Sequence, residues 1–591
     1  MAEWRLTRLI IWSGDGLVLT IWRLGDSGYG LQGDLPQHYH LARSVVAGMA
    51  AGEWWPAWAG LLEGGRGSSL FTFYAPLFYL LTGLIHLGGV PLISALGMMT
   101  VLILVFNQWT IWRLAGNGLT GWPRIWASVL GVALPGMTLI TINRGFLPQA
   151  LACGFLALVI DGAIRILGGE ESRSSRLSLV AGLVGVVLSH TISAYLAALA
   201  LVMLVVGGWH GRQGWRPVGR VAACSLLSAG LTAFFWIPQL IEINWVKVAL
   251  HLEKQNYRDY LLFAKSGVST PYREAWQGLN EVASLVTIVQ SGLLLMAGLL
   301  IWRWQRLAGS EAERRMVRFG IIGAVFGLLI SLPQFGVLWR VIPGLPYVQF
   351  PWRWQPVVGM VSGILAVTVF SRRAGIGGGL RLVGESAVMV LLVLGMILTS
   401  MLCRSYGQPE AARDIAQLTE VTGPLRTVRY EESRRWQEDG NPEFLGFTAN
   451  LFYFRPRSAE TTIYSAVDHP GGLEIVDSTE RRREREEVVT LHLGMEERRF
   501  RVRLSGEARA RLLSYAYPRW QATVDGKPVP IVVEPGTGLM LVDLPAGDHE
   551  LRFEYRRLRY PQLISLLVLA GTLIGLVVSS IRRRAWYTPD R

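Results

Sequence analysis

One carboxylate and a few cations carry the chemistry this sequence offers. Asp34 stands in the run Gly33-Asp34-Leu35-Pro36-Gln37-His38-Tyr39-His40. Pro36 sits where a helix can begin, and Leu41, Val45, Val46 and Met49 give that helix an apolar stripe. A carboxylate at its start could take a proton from an attacking hydroxyl, or ligate a divalent metal such as magnesium or manganese. Spacing alone favours a plainer role for Asp34, the helix N-cap.

The other polar groups are scattered. His38 and His40 could ligate a metal, but no third ligand lies near them in sequence, and structural histidines fit equally. Arg144 follows Asn143 in a short loop, and His190 falls in Ser189-His190-Thr191. Arg353 lies in Phe350-Pro351-Trp352-Arg353-Trp354, directly before an apolar run. Its planar fork suits phosphate, but a helix-end arginine can also snorkel to the interface, with the flanking Trp residues as interfacial anchors. Both readings stand.

These groups must be positioned by membrane helices. The chain has 591 residues, 51% hydrophobic and only 17% charged, against about a quarter charged in soluble domains. A span needs ~20 mostly apolar residues, and 92–112, 285–302, 386–402 and 563–581 all qualify. A retained first span is expected over 6–24. The basic loops around Arg113, Arg165, Arg212, Arg306 and Arg372 place both termini and these loops in the cytoplasm. Asp34, Arg144, His190 and Arg353 then share the outer side. By the same parity, 177–206 is two helices meeting near His190. The segment 70–87, with Pro76 in its middle, becomes re-entrant or interfacial.

From Gly446 onward the pattern shortens to strand-length runs. Strands are expected over 472–476, 488–493 and 500–504. A hairpin turns at Asp525-Gly526 between 520–524 and 527–533, and a second joins 539–544 to 549–555. The expected organisation is a membrane domain over 1–403 with a long first outer loop, 25–69. An extracytoplasmic β-sandwich domain follows over 404–559, then a last span, 560–582, and a cytoplasmic tail, 583–591. The fold class is a polytopic α-helical membrane protein of about twelve spans carrying that domain.

Several functions are excluded. The net charge of +14 is explained by inner loops and does not argue for nucleic acid. Three cysteines without a CxxC pair make neither a disulfide frame nor a thiolate site. No Walker A run, HExxH or GxSxG elbow occurs in a suitable context.

The order of motifs resembles the polytopic glycosyltransferases of the GT-C fold. Asp34 and His38 are followed by Gly52-Glu53-Trp54-Trp55-Pro56-Ala57-Trp58, then by Phe71-Thr72-Phe73-Tyr74-Ala75-Pro76-Leu77-Phe78-Tyr79. This is similar to bacterial membrane proteins labelled 6-pyruvoyl-tetrahydropterin synthase-related. Tyr515-Ala516-Tyr517-Pro518-Arg519-Trp520 and Leu544-Pro545-Ala546-Gly547-Asp548-His549 resemble the outer domain of YfhO-type membrane proteins. Nothing supports pterin chemistry itself.

The resemblance implies transfer of a sugar from a polyprenyl-phosphate donor to a glycan, lipid or protein acceptor of the cell envelope. It implies Asp34 as catalytic base or metal ligand, with His38, Arg144, His190 and Arg353 binding substrate. Many such enzymes carry a second acid where this chain has Asn143-Arg144-Gly145, so transfer without a metal is compatible with it. A transporter or flippase, or an envelope-assembly scaffold, is the rival reading. Transport predicts charges lining a through-path, and Asp15 and Asp161 are the main intramembrane cases.

Overall fold

The structure, a computed structural model, describes residues 34–138, 145–208, 214–246, 256–265, 273–305, 310–374, 472–483 and 486–585. The expected spans 6–24 and 386–402, and the start of the expected outer domain, lie outside them.

The helices are α1 (Leu35–Ala50), α2 (Leu77–Leu87), α3 (Leu92–Ala115), α4 (Gly121–Ala133), α5 (Leu147–Leu167), α6 (Arg173–Ser189) and α7 (Thr191–Gly208). They continue as α8 (Arg216–Leu231), α9 (Ala233–Glu242), α10 (Arg273–Gln305), α11 (Glu311–Ser331), α12 (Gln355–Ala374) and α13 (Arg559–Ala585). Among the described residues six helices are long and apolar enough to cross a membrane, or eight with two bent pairs counted as spans. About twelve were expected. The chain is a multi-pass membrane protein, and α13 shows why its surface faces lipid. Leu567 is 71% exposed and Ile574 63%, which only an apolar solvent tolerates on this scale.

Two breaks shape the site. The α6–α7 run is interrupted at His190, whose extended backbone ends α6. The 70–87 segment splits into one turn, Leu70–Phe73, and α2, with Pro76 between them. Neither piece is long enough to span, because Pro76 lacks the N–H that would continue the ladder. α1 packs its His38, Leu41, Ala42, Val45 and Met49 stripe against Phe71, Phe78, Tyr79 and α3.

Among the described residues nine strands form two antiparallel sheets, ordered β1-β4-β8-β7 and β2-β3-β9-β5-β6. The first contains β1 (Leu473–Val476), β4 (Ala508–Tyr515), β7 (Val532–Val533) and β8 (Leu539–Leu544). The second contains β2 (Glu487–Leu493), β3 (Glu497–Leu504), β5 (Trp520–Val524), β6 (Lys527–Val529) and β9 (Gly547–Tyr555). Both contribute to one apolar cluster, with Leu512 and Met540 from one and Phe500 and Phe553 from the other.

The Asp525-Gly526 turn forms, with φ of +50° and +76°. The rest of the hairpin expectations need correction. The strand expected over 527–533 stops at Pro530, which cannot donate to a ladder, and resumes as β7 in the other sheet. β8 and β9 are not a hairpin. β8 pairs with β4 and β7, and β9 with β3 and β5.

Candidate functional site

Asp34 occupies the N-cap position of α1, and its carbonyl accepts the His38 N–H at 2.9 Å. Its side chain makes no capping hydrogen bond. The capping role that spacing favours is therefore not the one observed. Pro36 in the first turn removes one of the donors a cap would serve.

The carboxylate instead acts electrostatically on Tyr74, Tyr79 and Arg353. Arg353 in turn acts on His190 and Tyr74. Four chain segments thus converge at one end of the bundle: the start of α1, the Pro76 break, the α6–α7 break and the turn before α12. Arg144 lies outside the described residues.

Arg353 is held firmly. Its Nη1 donates to the Val348 carbonyl at 3.0 Å and to Gln349 Oε1 at 3.2 Å, while its buried Nε has no hydrogen-bond partner. Its guanidinium lies 4.7 Å from the Phe350 ring. Phe350, Trp352, Phe146 and Tyr260 form an aromatic wall there. Trp352 and Trp354 are 2% and 0% exposed, so they are core residues and not interfacial anchors. The snorkelling reading of Arg353 fails with them, because its head is turned into the protein.

Sequence reading missed Gln349. It is 2% exposed with φ of +64°, a region that costs a non-glycine residue about 1–3 kcal/mol. Only the Val348-Gln349-Phe350-Pro351 turn hinted at it, since nothing in residue type marks a strained backbone.

His190 is partly exposed. Its Nδ1 accepts the Ser193 N–H at 3.2 Å, which leaves the ring proton of the neutral form on Nε2. His38 is 1% exposed, with Nδ1 2.7 Å from the Tyr79 hydroxyl. Burial lowers its imidazole to about 3, so the ring is neutral. His40, two residues on, projects from another side of α1, because neighbours on one helix face are three or four apart. The two histidines therefore cannot share a metal.

Among the described residues no three His, Cys, Asp or Glu side chains gather as a metal site. The Arg353 guanidinium is within electrostatic reach of Asp34.

Asp161, the buried charge that transport would need, is tied to Arg113 and Arg165 at 2.9 Å each and accepts from Asn117 and Ser178. These partners sit at the opposite ends of the helices from Asp34.

The β region covers the site end. Trp58, in the loop that follows α1, is 0% exposed among Trp520, Tyr517 and Tyr555, with ring centroids 5.6, 5.9 and 5.7 Å away. Gly67, at φ of +79°, lets the indole in. A Cβ there would stand 2.1 Å from Trp58 Nε1. The Arg66 carbonyl accepts from the Tyr515 N–H and Ser514 hydroxyl at 2.9 Å each. Glu242, at the end of α9, accepts from Tyr517 at 2.8 Å and Arg519 at 2.9 Å. Phe73, next to Tyr74, joins the same apolar cluster.

No protein-family model matches the chain, and no curated protein matches it. Among solved structures it is similar to the arabinofuranosyltransferase AftD from Mycobacteria, at 17% identity and TM-score 0.38 over 74% of this chain and 29% of that one. It is also similar to the Archaeoglobus fulgidus oligosaccharyltransferase, solved with zinc and sulfate, at 12% identity and TM-score 0.45 over 77% and 58%. The chain thus spans less than a third of the first and under two thirds of the second. Both neighbours are glycosyltransferases of the GT-C class.

Proposed function

We propose that the chain is a glycosyltransferase that moves a sugar from a polyprenyl-phosphate donor to an extracytoplasmic acceptor. The observation that carries this reading is the convergence of the Asp34 carboxylate with Arg353 and His190. Sugar transfer from a phosphate carrier needs a base, a cationic group for the leaving phosphate, and alignment. The site offers the first two and the fold the third.

In the reaction, the acceptor hydroxyl attacks the anomeric carbon as its proton passes to Asp34. The new carbon–oxygen bond forms while the bond to phosphate breaks from the opposite face, so the configuration inverts. The bonding electrons leave with the phosphate. Arg353 offsets its charge, and His190 donates from Nε2–H to the same phosphate.

The division proposed is a membrane domain over 1–403, an extracytoplasmic domain over 404–559, a last span over 560–582 and a cytoplasmic tail over 583–591, with both termini inside. Two sheets over one core fit a β-sandwich that caps the site. The sequence likeness to 6-pyruvoyl-tetrahydropterin synthase-related and YfhO-type proteins rests on the short motifs alone.

The test uses purified protein and a short-chain polyprenyl-phosphate sugar. Wild type should release polyprenyl phosphate, with Asp34→Asn slower by about 10²–10⁴-fold and Arg353→Ala weakened in donor use. Full activity of Asp34→Asn would remove the base assigned here.

A further inference from the structure

The side chains of β5 and β9 alternate. Trp520 and Ala522 of β5 enter the apolar core, as do Phe553 and Tyr555 of β9. Gln521, Thr523, Arg552 and Glu554 therefore share the opposite face of the sheet. The register places Gln521 across from Glu554 and Thr523 across from Arg552. Such cross-strand neighbours stand about 5 Å apart. Pro528 of β6 lies across from Thr523 on its other side and extends the face. All of them line a groove of about 580 Å³, together with Tyr517, Pro518 and Ile531. Small-molecule sites span ~300–1,000 Å³.

The chemistry of the groove narrows its occupant. An anion would compete with acids already in place. Arg552 is engaged by Glu497 at 2.8 Å and Glu554 at 3.9 Å, and Arg556, which also lines the groove, by Glu554 at 3.5 Å. A peptide strand cannot extend the sheet at its β6 edge, because Pro528 and the following Pro530 have no N–H to offer a ladder. A lipid chain would cover Gln521, Thr523 and Glu554 without satisfying them. A neutral ligand rich in hydroxyls meets none of these costs. Its hydroxyls can accept from Gln521 and Arg552 and donate to Gln521 and Glu554. Its C–H faces can pack on Pro518, Pro528 and Ile531.

The groove begins at the seam between the β region and the helices. Tyr517, on its wall, donates to Glu242 at the end of α9 across 2.8 Å. We propose that the groove binds a neutral oligosaccharide, the acceptor chain of the transfer. The saccharide site rests on the groove itself, and its role as acceptor rests on the glycosyltransferase reading.

The experiment uses the purified full chain in detergent and fluorescently labelled neutral tetrasaccharides of glucose, mannose, galactose and arabinose, followed by fluorescence anisotropy. At least one should bind saturably, and inorganic phosphate should not displace it. Gln521→Ala should weaken that binding about fivefold, the worth of one neutral hydrogen bond. Thr523→Phe fills the groove with a ring that suits a strand, and should abolish binding. Thermal melting of each variant checks that it is folded. In the transfer assay the loss should appear in the acceptor KM.

No saturable binding by any of the tetrasaccharides, wild-type binding by Thr523→Phe, or displacement by phosphate would overturn the site while leaving the glycosyltransferase reading intact. Binding by a wild type that releases no polyprenyl phosphate would uphold the saccharide site and remove its role as acceptor along with the transfer reading.

Discussion

Arg353 donates from Nη1 to Gln349 Oε1 across 3.2 Å, and Gln349 is the residue held at φ of +64° in the turn before it. A strained backbone thus supplies the acceptor that aims the proposed phosphate ligand. Gln349→Gly keeps the backbone conformation and removes the acceptor. Donor binding, measured by titration with a polyprenyl-phosphate sugar, should weaken about tenfold or more, as expected for a lost hydrogen bond to a charged group. Unchanged affinity would mean that the Val348 carbonyl alone suffices.

Trp58 should dominate the contact between the loop after α1 and the β region. Trp58→Ala empties a site closed by Trp520, Tyr517 and Tyr555. The cost should be about 3–5 kcal/mol. Limited proteolysis should then cut the loop near residues 51–69 while wild type resists. Equal resistance would show that the Arg66 and Glu242 hydrogen bonds carry the contact.

Asp161 should matter for stability and not for transfer. It neutralises Arg113 and Arg165 while fully buried, and Asp161→Ala leaves two guanidinium groups without their partner. A loss of about 3–5 kcal/mol is expected for breaking such a pair. It is read as a lower midpoint of thermal unfolding in detergent. Turnover per folded molecule should stay at the wild-type level, and a selective loss of turnover would reopen a transport role.

The β region should weaken in acid. Asp525 is held below the usual carboxylate range, first by the Glu550 N–H and then by His549. A depressed carboxylate gives stability that is present above its unfolded pKa of about 4 and lost as pH falls through that range. Asp525→Asn keeps the turn, since Asn tolerates positive φ. The variant should lose less stability than wild type between pH 5 and 3 (about the range where carboxylates titrate), followed by tryptophan fluorescence on heating.

Much of the architecture was legible because it rests on periodicity. The His190 break follows from a run too long for one span. The Pro76 break follows from a missing N–H. The Asp525-Gly526 turn follows from residues that accept positive φ. Strand pairing was not legible. Pro530 sends the chain from one sheet to the other, and β8 and β9 are consecutive yet separate, so adjacency in sequence misled. Asp34 and Arg353 could be named from residue type, but their meeting depends on helix packing that no local pattern records. The Gln349 strain and the contact of His38 with Tyr79 are of the same kind. Each is a property of several segments at once.

The placement of Trp58 also sets an order of events during synthesis. Its loop leaves the ribosome early, whereas the rings that enclose it end at Tyr555, close to the last helix. For nearly the whole of translation the indole has no pocket and stays open to other partners, chaperones included. The pocket around Trp58 can close only after the C-terminal strands have been made. A chain truncated before β9 would therefore misassemble at its beginning as well as at its end.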